Sequence, residues 1–463
     1  MTSSLPPEIF KAYDIRGIVD KTLTPAIVRT IGQALGTLAY ERQCHTIAVG
    51  RDGRLSGPAL STALLDGIRA SGINVIDLGQ VATPMTYFAA HQLNTGCSVM
   101  ITGSHNPPDY NGLKMVIAGE TLSGPTIQAL RERIERNDLR TAADPGSLTA
   151  HDIAPTYIDR ITSDVRLQRP LRIIVDAGNG IAGAFAPTLY ERLGCQVTPL
   201  FCEVDGTFPN HHPDPSQPKN LQTLIEYVQN ENADLGLAFD GDGDRLGIVT
   251  REGNIIFSDR QLMLFAADML KRAPGATVIY DIKSTRLLSP WIQQHGGVPL
   301  MWKTGHSLIK AKMKETGAQL AGEMSGHTFF GERWYGFDDG LYAGARLLEI
   351  LSQHADASAV LNALPDSTST PELAIACARE GEQHALIARL QKEARFPDAK
   401  ETILIDGVRV EYDDGFGLAR AANTTPTVVL RFEADDEAAL QRIQRDFREQ
   451  LRVVAGDKIE LPF

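Results

Sequence analysis

Leu171-Arg172-Ile173-Ile174-Val175-Asp176 opens a segment that ends, after a glycine-rich loop and a helical stretch, on Leu193-Gly194-Cys195-Gln196-Val197. The first run is apolar and β-branched, which suits a buried strand. A glycine after the last helical residue allows the left-handed turn that ends a helix. Strand, helix and strand in this order form a βαβ unit, whose two strands run parallel because a crossover joins them.

The same order occurs twice more. His45-Thr46-Ile47-Ala48-Val49-Gly50 is followed by a polar loop, a helical stretch, Ser71-Gly72 and Ile73-Asn74-Val75-Ile76-Asp77-Leu78. Ala276-Thr277-Val278-Ile279-Tyr280-Asp281 is followed by a helix closed by Gly296-Gly297 and by Val298-Pro299-Leu300. Copies spaced by roughly a hundred residues are repeated domains and not solenoid turns. The last hundred residues differ. Thr402 to Val410 reads as a hairpin, Thr427 to Phe432 as a strand, and about Asp435 to Leu451 as an acidic helix. The pattern predicts three similar α/β domains with mixed, largely parallel sheets, plus a smaller C-terminal α+β domain. The expected boundaries are 1–150, 151–254, 255–366 and 367–463, with the last join in the turn-rich stretch Ala363 to Pro371.

Length alone suggests about three domains. The 463 residues are 43% hydrophobic and 22% charged, ordinary values for a globular protein. Neither a membrane-length apolar run nor a signal peptide is evident, so no membrane partner is expected. The net charge of −12 argues against nucleic acid as a partner. Cys44, Cys97, Cys195, Cys202 and Cys377 are odd in number and lack CxxC spacing, as expected of reduced thiols in the cytoplasm.

Phe239-Asp240-Gly241-Asp242-Gly243-Asp244-Arg245 places carboxylates at i, i+2 and i+4 between two apolar runs. Glycine lets such a loop curl until the carboxylates converge, and convergence calls for a hard divalent cation. A solvated acidic turn is disfavoured by the apolar runs on both sides. An EF-hand is excluded, because loop positions six and twelve are Arg245 and Arg251 instead of glycine and a carboxylate. Three carboxylates leave coordination positions open, and Mg2+ sharing a phosphate oxygen fills one. Arg245 beside it can orient that phosphate through its planar fork.

Thr102-Gly103-Ser104-His105-Asn106 follows another apolar run, and Lys114 follows Asn111-Gly112. The loop is neither a GxSxG nucleophile elbow nor a Walker A loop. His105 is the immediate neighbour of Ser104 and a poor triad base for it. With a magnesium loop nearby, Ser104 reads better as a phosphoryl carrier whose phosphate supplies the missing metal ligand. The expected turn at Asn111-Gly112 would bring Lys114 back beside it as a general base.

Thr102 to Lys114, Asp240 to Arg245 and Gly322-Glu323-Met324-Ser325-Gly326-His327 together resemble the signatures of the α-D-phosphohexomutase superfamily. The bacterial phosphomannomutase/phosphoglucomutase group is the most similar in appearance. Lys11 to Gly17 and Arg420 to Pro426 extend the resemblance over essentially the whole chain. It implies four domains around one deep cleft, each giving a loop. It implies phosphoserine at Ser104, Mg2+ on Asp240, Asp242, Asp244 and a phosphoserine oxygen, and acid–base roles for Lys114 and His327, with Arg245 stabilising the transfer.

The resemblance further implies that the Glu323, Met324, Ser325, Gly326 and His327 loop reads the sugar. Arg420, Ala421, Ala422, Asn423 and Thr424 would form the phosphate clamp. Tyr13, Arg16, Lys283, Lys303, Thr304, Gly305 and His306 would complete the rim. Ala422 stands where some relatives have serine, which removes one hydroxyl contact to phosphate. His211 and His212 are expected in a loop or hinge without chemistry. The implied reaction interconverts hexose 1-phosphate and hexose 6-phosphate, of mannose or glucose, through hexose 1,6-bisphosphate, which also serves as activator. A cytoplasmic monomer with a phosphosugar as its small-molecule partner, supplying exopolysaccharide precursors, is the accompanying expectation. The alternatives are a phosphoglucosamine or N-acetylglucosamine phosphate mutase, or a non-catalytic sugar-phosphate binder.

Overall fold

A computed structural model describes residues 5–379, 381–423, 425–456 and 459–463. The chain divides into two compact units, Met1–Gln261 with His306–Ala363, and Leu262–Gly305 with Leu364–Phe463.

In the first unit, the strand Thr46–Arg51 pairs in parallel with Asn74–Gln80 and with Ser98–Ile101. Its helices start as the sequence chemistry dictates. In Pro25–Glu41, Thr24 caps the N-terminus by accepting from the Ile27 N–H, and Pro25 occupies a first-turn position where no N–H is needed. The apolar face of that helix buries Val28, Ile31 and Leu35. Ser98–Ile101 then pairs antiparallel with Tyr110–Ile117, setting Met100 opposite Lys114. Asn111-Gly112 is therefore inside a strand and not a turn, because Ile15–Ile18 pairs across it on the other side. Lys114 reaches its place along a strand.

The second sheet centres on Arg172–Asp176, parallel to Gln196–Leu200 and to Leu235–Phe239. Leu246–Thr250 returns antiparallel to Leu235–Phe239, and every residue of both strands is buried. The acidic loop is thus the connection of a rigid, fully buried strand pair. A third element, Leu320–Gly322 with Thr328–Phe330, is an antiparallel pair that holds residues 323–327 at its tip.

In the second unit, Thr277–Asp281 and Val298–Trp302 are parallel, as expected of the third repeat. The C-terminal sheet runs antiparallel through Glu401–Ile403, Val408–Tyr412, Gly415–Ala421 and Thr427–Ala434. The helices Glu382–Glu393 and Glu437–Ala455 pack on it around Val410, Leu430, Phe432, Ile443 and Phe447. Gly415–Ala421 was not legible beforehand. It is rich in small residues and carries no β-branched signal, yet all seven residues are buried. The two units change over between Ala363 and Leu364, but Thr368–Ser369 already pairs with Thr427–Ala434, so only part of the expected join is irregular.

Candidate active site

The acidic loop curls because one carboxylate gathers its backbone. Asp240 Oδ1 accepts from the N–H groups of Gly243, Asp244 and Arg245 at 3.1, 3.1 and 3.2 Å. That folding brings carboxylate oxygens of Asp240, Asp242 and Asp244 within 4.8 Å of one another, all buried. Thr83, the first residue of the helix Thr83–Gln92, anchors the loop, its N–H donating to the Asp242 carbonyl at 2.9 Å and its hydroxyl to Asp242 Oδ2 at 2.5 Å.

The serine loop lies directly on this one. Ser104 Oγ donates to Asp240 Oδ2 at 3.1 Å, and the Ser104 backbone adopts φ 49°, a left-handed conformation uncommon for a side-chain-bearing residue. The Thr102 hydroxyl holds that conformation by accepting from the Ser104 N–H at 2.7 Å. A Cβ on Gly241 would stand 2.4 Å from the Ser104 carbonyl oxygen, so only glycine allows the two loops to touch.

Beneath the serine loop lies Arg54, which sequence reasoning missed. Its guanidinium donates to four backbone carbonyls, those of Ser104, Asn106, Pro107 and Tyr110, at 2.8, 2.6, 2.6 and 2.9 Å. Asp52 pairs with it at 3.3 Å, and both are about 1% exposed. A Cβ on Gly103 would collide with the guanidinium at 2.4 Å. Arg16 ties the same loop from above through Asn106, its other partner being Asp14.

Lys114 Nζ lies between two of the acids, 2.7 Å from Asp242 and 2.5 Å from Asp244. Burial by itself would lower the lysine pKa, but the two carboxylates outweigh it and raise it. The acids divide accordingly. Burial pushes all three upward. Lys114 brings Asp242 and Asp244 below the usual range, while Asp240, facing its two neighbours, remains well above it. Asp242 Oδ1 is buried with no hydrogen-bond partner among the described residues. Three buried carboxylates, one of them held from ionising by burial and its two neighbours and one with an unbonded buried oxygen, fit a hard divalent cation. These residues could hold a metal ion. Another triad, Asp244, His327 and Asp338, shares Asp244 and is part of the same site.

The 323–327 loop is joined to the metal loop by backbone pairing. Arg245 and His327 form an antiparallel bridge, and the Leu246 N–H donates to the Gly326 carbonyl at 3.2 Å. His327 Nε2 lies 3.3 Å from Asp244 and 3.4 Å from Arg245 Nε, while Nδ1 meets Glu323 at 3.0 Å and Ser325 Oγ at 3.1 Å. Burial opposes protonation of His327, but Asp244 and Glu323 prevail and raise its pKa to about 9. Met324 is buried against this loop. His306 is buried, and its ring meets Tyr13 edge-on at 6.4 Å.

Ser104, Lys114, Asp240, Asp242, Asp244, Arg245, Glu323, Ser325 and His327 therefore converge within the first unit. The second unit gathers another set by itself. Asp406 accepts from the Thr304 N–H at 3.0 Å and pairs with Arg420 at 3.1 Å, so the Lys303-Thr304-Gly305 loop and the Arg420 strand end share one carboxylate. Lys283 pairs with Glu372, and Lys303 is exposed. Ala421 and Ala422 are buried, and the Ala422 N–H donates to the Thr427 carbonyl. Thr424 lies outside the described residues. His211 bonds Asp176 at 3.0 Å and the His212 carbonyl at 3.0 Å, bracing the loop after Arg172–Asp176.

Family comparisons match four successive segments: phosphoglucomutase/phosphomannomutase alpha/beta/alpha domain I over residues 7–141, domain II over 155–253, domain III over 257–368, and the C-terminal domain over 372–450. The chain is 56% identical to the phosphomannomutase/phosphoglucomutase of Pseudomonas aeruginosa, covering 99% of this chain and 98% of that one. It is 59% identical to a phosphoglucomutase of Neisseria meningitidis, over 96% and 97% of the two chains. A crystal structure of a phosphoglucomutase/phosphomannomutase family protein from Burkholderia thailandensis superposes with a TM-score of 0.94 at 54% identity, covering 99% of this chain and 100% of that one.

Proposed function

The chain belongs to the phosphoglucomutase/phosphomannomutase family, and from that premise and its geometry we propose how it works. It is a phosphohexomutase that moves a phosphoryl group between the 1- and 6-positions of a hexose, with Ser104 as the carrier. Mannose and glucose phosphates both serve, since the two named relatives act on one or both sugars by name. The observation that carries this reading is the contact of Ser104 Oγ with Asp240 at 3.1 Å, inside the cluster that also holds Lys114 and His327.

In the forward half-cycle the bond between phosphorus and Ser104 Oγ breaks while one forms to the free sugar hydroxyl, giving a hexose 1,6-bisphosphate. The hydroxyl proton must leave, and the site offers two carriers, His327 and Lys114. Both are protonated in the arrangement seen here, because Asp244, with Glu323 or Asp242, favours their cations. Asp240, Asp242 and Asp244 would hold a magnesium ion, which would supply positive charge against the transferring phosphoryl group and would offset the carboxylate charge that favours the two cations. Arg245, paired with Asp240 at 3.7 Å, is the fixed cation beside the carrier. Glu323 and Ser325 orient His327 and offer polar atoms to the sugar. Arg420, Asn423 and Thr424 serve as the phosphate clamp, Arg420 being pre-oriented by Asp406. The bisphosphate then turns over, and the reverse steps return its other phosphate to Ser104.

The five cysteines are free, and no helix among the described residues is long and apolar enough to cross a membrane. The proposed substrate is a small phosphosugar and the proposed state a cytoplasmic monomer. The test is Ser104→Ala. Intact mass should show one phosphate on wild type and none on the variant. Turnover of mannose 1-phosphate and glucose 1-phosphate should nearly vanish in the variant, with glucosamine 1-phosphate assayed alongside. Turnover near the wild-type rate by Ser104→Ala would remove Ser104 as carrier.

A further inference from the structure

Adjoining the catalytic cluster through Asp338, the first unit contains a cavity of about 500 Å³ whose lining includes neither Ser104 nor any of the three loop carboxylates. That size falls within the range of small-molecule sites. Its walls come from the helix Thr83–Gln92, the helix His306–Thr316 and the segment 331–337.

Three features define what would fit. The first is flat aromatic surface. His91 stacks on Tyr335 with ring centroids 5.0 Å apart, and Tyr335 lies parallel to Phe337 with 6.0 Å between centroids and 5° between planes. Trp334 lies parallel to Tyr342 at 4.1 Å and to Phe88 at 6.0 Å and contributes to the cavity lining. Burial lowers the His91 pKa, so that ring is neutral and adds to the π surface. Such walls favour an inserted planar ring, stacked or edge-on. Tyr335 is 37% exposed, which leaves part of its surface available to a ligand.

The second feature is charge. Lys310 and Lys314 lie one helical turn apart and both line the cavity, and none of its described lining residues is Asp or Glu. The Lys310 charge is matched by Asp338 at 2.8 Å, so Lys314 carries the local positive charge, in a protein whose net charge is −12. Lys314 is exposed, which suits it to meet an incoming anion. The third feature is position. Lys310 Nζ pairs with Asp338 at 2.8 Å and stands over the Tyr87 ring at 4.0 Å. Asp338 belongs to the cluster with Asp244 and His327.

We propose that this cavity is a second ligand site, for a planar aromatic molecule of one or two fused rings carrying an anionic group. The rings lie against His91, Tyr335 and Phe337, and the anion meets Lys314 and Lys310. An anion at Lys310 competes with Asp338 for the ammonium, so occupancy alters the charge beside His327 and with it turnover. Binding at the site does not depend on the proposed carrier role of Ser104.

The probe is naphthalene-2-sulfonate, which has the flat rings and one charge but no phosphate for the catalytic centre. Calorimetric titration of the full chain should show saturable binding that persists with saturating glucose 1-phosphate present. Tyr335→Ala and Lys314→Ala should each weaken it at least fivefold while leaving basal turnover unchanged. The uncharged 2-naphthalenemethanol should bind more weakly, and sulfate alone should not reproduce the effect. Saturating probe should change kcat in wild type but not in Lys310→Met. Absence of saturable binding, equal affinity in Tyr335→Ala and Lys314→Ala, or displacement by glucose 1-phosphate would overturn the site. An unchanged wild-type kcat at saturation would overturn its link through Lys310.

Discussion

Arg54 shows how much one buried residue carries. Its planar fork donates to four carbonyls around Ser104 together, three of them in the serine loop and the fourth, that of Tyr110, at the start of the strand Tyr110–Ile117. A lysine supplies the charge but not the fork. Losing one charge-assisted hydrogen bond costs about 1.5–3 kcal/mol, so Arg54→Lys should lower kcat by roughly tenfold to a hundredfold, each tenfold being about 1.4 kcal/mol. KM should change little, because Arg54 touches the serine loop and not the sugar. Steady-state kinetics with glucose 1-phosphate checks this, and an unchanged kcat would show that Asp52, Thr102 and Arg16 support the loop without the guanidinium fork. At the acids, Asp242→Asn removes one charge from the carboxylate cluster proposed to hold the metal and keeps the shape. Magnesium titration of activity should show a clear loss of metal affinity, with the maximal rate partly recovered at high magnesium. An unaltered magnesium dependence would place the metal elsewhere.

At the level of elements, the site is a meeting of loops whose spacing is set by rigid strands. Leu235–Phe239 and Leu246–Thr250 are buried throughout, so residues 240–245 cannot withdraw when something is inserted against them. Gly241→Ala places a Cβ 2.4 Å from the Ser104 carbonyl. The loops must then part by several tenths of an ångström at least, and Ser104 Oγ loses its register with Asp240. The expected result is a fall in kcat of at least tenfold with a small loss of thermal stability, about 1–3 kcal/mol for overpacking. Parallel measurement of kcat and melting temperature distinguishes this from general unfolding. A kcat within twofold of wild type would show that the loops need not touch for transfer.

For the molecule as a whole, Asp339 offers a stability signature. It caps the helix Gly340–Leu351, accepting from the Tyr342 N–H at 2.9 Å and from the Tyr157 hydroxyl at 2.8 Å. Burial outweighs those donors and raises its pKa to about 7. The unfolded chain has this carboxyl near 3.9. Between those two values the folded state holds a proton that the unfolded state has released, so this group's contribution declines as pH rises from about 4 to about 7 and is then constant. Asp339→Asn keeps a capping oxygen and cannot ionise. The melting temperature of the variant minus that of wild type should therefore increase from pH 5 to pH 7 and level off above it. A difference independent of pH would mean that Asp339 is already ionised at pH 5.

Much of this protein was legible along the chain, and the reason is locality. The βαβ repeats announce themselves through runs of five or six residues and a closing glycine, interactions that a short window contains. The acidic loop and the serine loop are equally local, since Gly241 and Gly243 sit between the acids they allow to converge. The strand Gly415–Ala421 was illegible, because its burial comes from Phe447 and its neighbouring strands and not from its own residues. Asn111-Gly112 misled for the same reason, as pairing with Ile15–Ile18 and the bond from the Thr102 N–H to the Gly112 carbonyl overrode a local turn preference. Arg54 was invisible for another reason. Its partners are carbonyls, which every residue possesses, some fifty positions further on, so no side-chain pattern marks it. The protonation of Lys114 and His327 also escaped the linear reading. It depends on which carboxylates stand within about 3 Å in a buried site, and only the packed chain sets those distances and removes the water that would screen them.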